Sequence, residues 1–184
     1  MVSVLFSRPN HDVALSYLFF YSKDLVEISE RLGYKTIDKQ EKMSTKEIIT
    51  SIIEKNKPDL IMFNGHGSPN LICGHKNEII ISDDNVGILK GIISYSLTCS
   101  SALILGSEAV KKVAKAFIGY KFDFALGKDP DSEASPRKDK IAKLFLEPSN
   151  ILFSALSRTH GINSGACSGF LSTQDLRLLS HELK

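Results

Sequence analysis

Two segments of this sequence carry reactive side chains directly after apolar runs. Leu60-Ile61-Met62-Phe63 leads into Asn64-Gly65-His66-Gly67, and the run from Ile92 to Thr98 leads into Cys99. A thiol acts as a nucleophile when an imidazole takes its proton and backbone N–H groups hold the charge that develops on the attacked carbonyl oxygen. His66 and Cys99 are therefore the candidate imidazole and thiol.

The residues beside this pair are small. Gly67 has no side chain to block a substrate carbonyl, so its N–H and that of Cys99 are the expected donors to an oxyanion. Small hydroxyl residues on both sides of Cys99 leave the sulfur accessible, and a protonated His66 beside it would stabilise the thiolate. The sequence thus predicts that Cys99 is reactive.

The elements that must position these residues alternate between strand and helix. Apolar residues recur at helical spacing from Ala14 to Leu32, between predicted strands at Val2 to Phe6 and Tyr34 to Asp38. Ser44 and Glu47 form the capping-box pattern of a second helix. The alternation predicts a βαβ arrangement.

The run before His66 is apolar at every position, which is typical of a central strand covered on both faces. Beyond it, the sequence predicts a small hairpin over Leu71 to Ile81 and a short helix over Ser82 to Leu89. A strand over Ile92 to Thr98 and a longer helix over Glu108 to Ala116 follow. Two β-like stretches follow, at Phe117 to Tyr120 and Phe122 to Leu126. An exposed loop is predicted over Gly127 to Pro136, and helices are predicted from Arg137 onward, the first of them at Ile141 to Leu146.

This pattern predicts one α/β domain over residues 1–184, with a mostly parallel central sheet and helices on both faces. In such sheets, functional groups gather at the carboxyl ends of the strands. His66 and Cys99 each follow a predicted strand, so the two side chains are expected to meet at one cleft.

Composition excludes several classes of function. The chain is 42% hydrophobic and 24% charged, as soluble globular proteins are. A net charge of +2 without basic runs argues against a nucleic-acid partner, and no window approaches the ~20 apolar residues of a membrane span. The N-terminus lacks a basic leader, and the three cysteines lack a C-x-x-C spacing, so we expect a cytoplasmic location, no disulfide framework and no metal site.

The segments around the histidine and the cysteine resemble the caspase-like (clan CD) cysteine peptidases, most closely the gingipain-like and CHAT-domain branch. That group places an apolar strand before a His-Gly pair and a second strand before the Cys, as residues 60–67 and 95–102 do here. The resemblance covers roughly residues 58–127 well and the flanking helices loosely.

The resemblance implies a three-layer caspase-like fold and a single peptidase domain over residues 1–184. By it, the chain is a cysteine endopeptidase that hydrolyses protein or peptide substrates through a His–Cys dyad and an acyl-enzyme. His66 is the catalytic histidine, Cys99 is the nucleophile, and Gly67 donates to the oxyanion together with Cys99. The mechanism needs no metal or organic cofactor, although calcium activates some relatives.

Two departures from the family leave the preference for the residue before the scissile bond open. Metacaspases carry an Asp two positions before the cysteine, where this chain has Leu97. The caspase signature Gln-Ala-Cys-x-Gly is also absent. Neither an Arg/Lys preference nor an Asp preference is therefore implied.

Two other functions fit the same predicted fold. One is a catalytically silent caspase-like module that binds a partner protein, against which the retention of both His66 and Cys99 speaks. The other is a flavodoxin-like ligand binder, but residues Ser7 to Asn10 are not the glycine-rich loop that cradles phosphate.

Control by a regulatory protein partner, by self-cleavage or by oligomerisation is expected of a small peptidase.

Other reactive residues are weaker candidates. Cys73 and His75 would complete a four-ligand zinc site with His66 and Cys99, but the spacing matches no usual zinc module. His160 and Cys167 are a second Cys/His pair, but neither residue follows a convincing strand. Asp123, Asp129 and Asp131 are loop carboxylates that either select a substrate side chain or are solvated.

Overall fold

The computed structural model of the chain describes residues 1–124 together with positions 136, 139, 141 and 142. Over these residues the strands and α-helices are β1 (Ser3–Arg8), α1 (Val13–Arg31), β2 (Lys35–Gln40), α2 (Lys46–Asn56), β3 (Leu60–Asn64), β4 (Gly67–Ser68), β5 (Leu71–Cys73), β6 (Ile79–Ser82), β7 (Ile93–Leu97), α3 (Leu105–Lys111) and β8 (Ala116–Ile118).

The main sheet has five strands in the order β2-β1-β3-β7-β8, and all of its strand pairs are parallel. The prediction of an α/β fold with a mostly parallel sheet is therefore confirmed, as is the central place of β3. The predicted hairpin is also present, because β4, β5 and β6 form a small antiparallel sheet.

Helices cover both faces of the main sheet because side chains alternate along each buried strand. Val4 and Phe6 of β1 join the core cluster that contains the apolar face of α1, whereas Leu5 joins the cluster that contains α2 and α3. Every residue of β3 is buried, which is what its continuous apolar run predicts.

The direction of the strand order explains which face each helix covers. The chain moves one way across the sheet from β1 to β2 and the opposite way from β2 to β3 and from β7 to β8. A constant right-handed crossover then requires α1 on one face and α2 and α3 on the other. The direction of the strand order reverses between β1 and β3. At such a point, open α/β sheets form a crevice at the carboxyl ends of the strands.

The end of β1 is fixed by a buried cation. Arg8 is 2% exposed, and its guanidinium donates to Asp38 at 2.6 Å, to Ser22 at 2.9 Å and to the Phe19 carbonyl at 2.8 Å. A buried charge persists only when it is paired and hydrogen-bonded in this way. The network therefore holds β1 against α1 and β2 just before the loop that follows β1.

The capping-box prediction was wrong by one residue. Thr45, not Ser44, caps α2, and its hydroxyl accepts from the Ile48 amide. Ser44 is instead buried, with its hydroxyl 2.6 Å from that of Ser7 and its carbonyl accepting from the His75 amide. These tertiary contacts hold Ser44 away from the cap position that the local pattern assigned to it.

The helix predicted over Glu108 to Ala116 was misplaced at both ends. It begins at Leu105 and ends at Lys111, because Ala116 pairs with Ile93 as the first residue of β8. The short helix predicted over Ser82 to Leu89 is a single 3₁₀ turn, Val86–Leu89.

The β-like stretch predicted from Phe122 onward is not a strand in its described part, residues 122–124. The exposed loop and the later helices lie outside the described residues, except that Ile141 and Ala142 are helical and Ala142 packs in the core beside α1. Within the described part of the chain, no helix combines the length and apolar character needed to cross a membrane.

Candidate functional site

Three loops at the carboxyl ends of neighbouring strands form the candidate site. His11 and Asp12 follow β1, His66 follows β3, and Cys99 follows β7. The last paired residues of β3 and β7 are Asn64 and Leu97, and each candidate stands two residues beyond its strand. The strand register thus brings the histidine loop and the cysteine loop side by side.

The His66 ring is oriented by a carboxylate that sequence reasoning missed. Asp12 is the N-cap of α1, where its Oδ1 accepts from the Leu15 amide at 2.9 Å. Its Oδ2 lies 2.7 Å from Nε2 of His66. The available signal was position, because an aspartate at a helix start directly after β1 lies at the same edge of the sheet as the loop after β3.

The Asp12 carboxyl is held in its ionised form. Burial alone would raise its pKa, but the Leu15 amide and the hydrogen bond and charge of His66 together outweigh burial, so the pKa lies below its usual value. An ionised carboxylate only accepts hydrogen bonds, so the proton on the His66 ring is at Nε2. In the neutral form of the ring, Nδ1 is then the nitrogen whose lone pair can take a proton.

Gly67 lies where the histidine loop and the cysteine loop approach each other closely. A Cβ at this position would stand 2.7 Å from Oγ1 of Thr98 and 2.9 Å from the carbonyl oxygen of Cys99. The sequence explains Gly67 by access for a substrate carbonyl, whereas the structure adds a second reason, the close approach of two backbones. Gly65 is restricted in the same way by the Cys73 carbonyl.

The Pro69 carbonyl adds a second link between the two loops. It accepts from the amides of Ile104 at 3.1 Å and Leu105 at 2.8 Å, where α3 begins without a side-chain cap. The segment after β4 therefore supplies the acceptor that the first turn of α3 needs.

Cys99 is half-buried and is followed by a residue with unusual backbone geometry. Ser100 has a φ of 52°, in the left-handed region. Its amide donates to the Phe122 carbonyl and its hydroxyl to Asp123 at 2.7 Å. The Cys99 sulfur lies 4.0 Å from the carbonyl oxygen of Phe124. Residues 122–124 therefore form a wall beside the thiol, and the Phe122 ring is exposed.

The other candidate residues fall into different surroundings. Cys73 is buried, and burial raises the pKa of its thiol, so little of its thiolate forms at neutral pH. His75 packs its ring against that of His11, with ring centroids 5.4 Å apart. Asp123 is bound to the serine after Cys99, whereas Asp129, Asp131, His160 and Cys167 lie outside the described residues.

The four-ligand zinc set of Cys73, His75, His66 and Cys99 does not appear among the ligand clusters of the described residues. The cluster found there consists of His11, Asp12 and His66, whose ligand atoms all lie within 4.8 Å of one another. These three residues are the group that could hold a metal ion.

Searches for similar proteins leave the geometry as the main guide to function. No protein-family model matches the chain, and no curated protein matches its sequence.

Proposed function

We propose that this chain is a cysteine endopeptidase with a three-layer caspase-like fold, close to the gingipain-like and CHAT-domain branch. The observation that carries the proposal is the close approach of the histidine loop to the cysteine loop, which leaves no room for a Cβ at Gly67, beside a His66 ring that Asp12 orients. A nucleophile, a base and a group that orients the base are the parts that covalent catalysis needs.

The chemistry follows from the protonation of the ring. Nδ1 of His66 takes the proton of Cys99, and the thiolate attacks the carbonyl carbon of a peptide bond. The imidazolium is stabilised by Asp12 through Nε2–H, and it then gives its Nδ1 proton to the departing amine. Water then attacks the thioester and gives a proton to Nδ1 of His66, the C–S bond breaks, the sulfur of Cys99 takes that proton back, and the second product is a carboxylic acid that ionises in water.

The negative charge on the tetrahedral intermediate needs donors that are already aimed at it. We assign these to the backbone N–H groups of Gly67 and Cys99, on opposite sides of the close contact between the loops. Removal of one such donor typically costs about 10²–10³ in kcat. Peptide substrates would approach past the exposed Phe122 ring.

The test is digestion of an unbiased peptide library by the purified chain, read by mass spectrometry, beside the Cys99→Ala and Cys73→Ala variants. Cleavage that is lost in Cys99→Ala and kept in Cys73→Ala supports the peptidase and identifies the preferred residue before the scissile bond. Cleavage that persists in Cys99→Ala refutes the assignment.

Labelling with an acyloxymethyl ketone peptide separates a competent site from a silent one. A competent site is labelled at Cys99 faster than a small model thiol, because the ketone occupies the substrate position. Labelling no faster than the model thiol, without library cleavage, favours the silent module that binds a partner protein.

A further inference from the structure

The loop after β1 and the loop after β3 bring three metal-binding side chains together. Oδ2 of Asp12 is 2.7 Å from Nε2 of His66 and 3.8 Å from Nε2 of His11. The side chains are 14%, 37% and 40% exposed for His11, Asp12 and His66, so an ion in solvent can reach them.

We propose that His11, Asp12 and His66 form a Zn²⁺ site, with the fourth position of the ion open to water. Two imidazoles and one carboxylate suit a borderline cation such as zinc, whereas Mg²⁺ and Ca²⁺ prefer oxygen ligands. With bonds of about 2.0–2.2 Å, ligand atoms around a tetrahedral ion are roughly 3.3–3.6 Å apart. The distances from Asp12, 2.7 Å and 3.8 Å, lie on either side of this value, and all three ligand atoms are within 4.8 Å of one another, so side-chain shifts of about 1 Å would bring them around one ion.

Two of the ligands are already held in place. The Leu15 amide binds Oδ1 of Asp12 and leaves Oδ2 facing both rings. His66 follows β3, which is buried along its whole length and so fixes the start of its loop. Outer contacts of this kind orient metal ligands and add to affinity.

His11 must change its protonation to bind the ion. Its Nδ1 accepts from the Lys76 amide at 3.2 Å, so Nε2 carries the proton and faces Oδ1 of Asn77 at 3.3 Å. Ligation through Nε2 moves that proton to Nδ1 and breaks both contacts. Both are long and exposed, so the loss is small compared with a metal–nitrogen bond.

The consequence for activity rests on the proposed function. A zinc ion on Nε2 of His66 leaves the neutral ring with its proton on Nδ1, so the ring can no longer accept the proton of Cys99. The ion also binds the Asp12 carboxylate, which is then not free to stabilise a protonated His66 ring. Zinc is therefore a reversible inhibitor that acts on the base and not on the thiol.

The binding test uses the full chain, freed of metal, with Co²⁺ absorption and Zn²⁺ calorimetry as readouts. We compare the wild type with His11→Gln and with a neighbouring histidine variant, His75→Gln. We expect His11→Gln to weaken binding by at least about tenfold and His75→Gln to change it less than threefold. Equal affinity in the wild type and His11→Gln overturns the site.

A second variant, His11→Phe, protects the test against a local rearrangement, because a phenyl ring keeps the packing against His75 but has no ligand atom. It must weaken Co²⁺ and Zn²⁺ binding as His11→Gln does. Retained binding in this variant also overturns the site.

The activity test measures the zinc concentration that halves the cleavage rate of each variant, relative to its own rate in EDTA. We expect that concentration to rise at least about tenfold in His11→Gln. An unchanged value would mean that zinc inhibits by binding elsewhere, which overturns the inhibitory role of this site. If the chain cleaves nothing, the proposed function fails, while the binding test still decides the metal site.

Discussion

Asp12 and His66 are 54 residues apart in the chain, yet Oδ2 of one lies 2.7 Å from Nε2 of the other. The contact joins the loops of two adjacent strands, β1 and β3, where the strand order diverges. It makes the aspartate both a helix cap and the partner of the candidate base. The two roles can be separated by substitution.

Asp12→Asn tests the orienting role. Asn caps helices as well as Asp does, so the free energy of unfolding should change by less than about 0.5 kcal/mol. The amide can present an N–H to His66 and so favours the wrong tautomer, and we expect kcat/KM to fall by about 10²-fold or more. Steady-state cleavage and urea unfolding measure the two effects.

Asp24→Asn is the matched control, because Asp24 is an exposed aspartate of α1 remote from the cap. It should change neither quantity. A full rate in Asp12→Asn would show that the carboxylate has no part in catalysis.

Gly67→Ala tests the contact between the loops. Its Cβ would meet the Thr98 side chain at 2.7–2.8 Å and the Cys99 carbonyl at 2.9 Å, and backbone atoms cannot move aside cheaply. We expect a loss of about 1–3 kcal/mol in the free energy of unfolding, together with slower labelling of Cys99. Gly87→Ala is the control, since its nearest contact would be the flexible Lys112 side chain at 3.8 Å. Equal stability of the two variants would contradict the contact.

The two cysteines of the described region should differ in reactivity. Cys73 is 8% exposed and burial raises the pKa of its thiol, so little thiolate forms at neutral pH, whereas Cys99 is half-buried. Iodoacetamide should modify Cys99 about tenfold faster than Cys73 at pH 7, as read by peptide mapping. In about 8 M urea, which unfolds the chain, the two rates of modification should become equal. Equal rates in the native chain would argue against an accessible Cys99.

Removal of one partner of the buried ion pair should destabilise the fold strongly. Asp38→Asn removes the anion 2.6 Å from the buried Arg8, and an uncompensated buried charge costs about 3 kcal/mol. Urea unfolding gives the change in the free energy of unfolding. Glu108→Gln, which breaks an exposed pair with Lys111, should leave the free energy of unfolding nearly unchanged, because water screens exposed pairs. A similar small loss in Asp38→Asn would mean that water reaches Arg8.

The parts that the sequence predicts well are those set by local pattern. The apolar run of β3 predicts a strand buried on both faces, and the glycines around His66 predict a tight loop, because both signals lie within a few residues. The parallel order of the sheet follows from the alternation of helices and strands. The functional assignment of His66 and Cys99 stays a prediction for the experiments above.

The parts that it predicts poorly depend on contacts between distant residues. Asp12 meets His66 across 54 positions, and Ser44 is drawn away from the cap by Ser7 and His75. Local spacing carries no information about such pairs. Ala116 is likewise assigned to a helix by its neighbours but to β8 by pairing with Ile93.

The carbonyl of Pro69 has a bearing on how the chain folds. The amides of Ile104 and Leu105 have no side chain to cap them and depend on this one acceptor from the other loop. The amides of the first turn of α3 are therefore satisfied only after the segment that contains Pro69 has packed against this turn. The loops that carry His66 and Cys99 should therefore form in one cooperative event, so that a partly folded chain does not hold one of these loops in its final shape without the other.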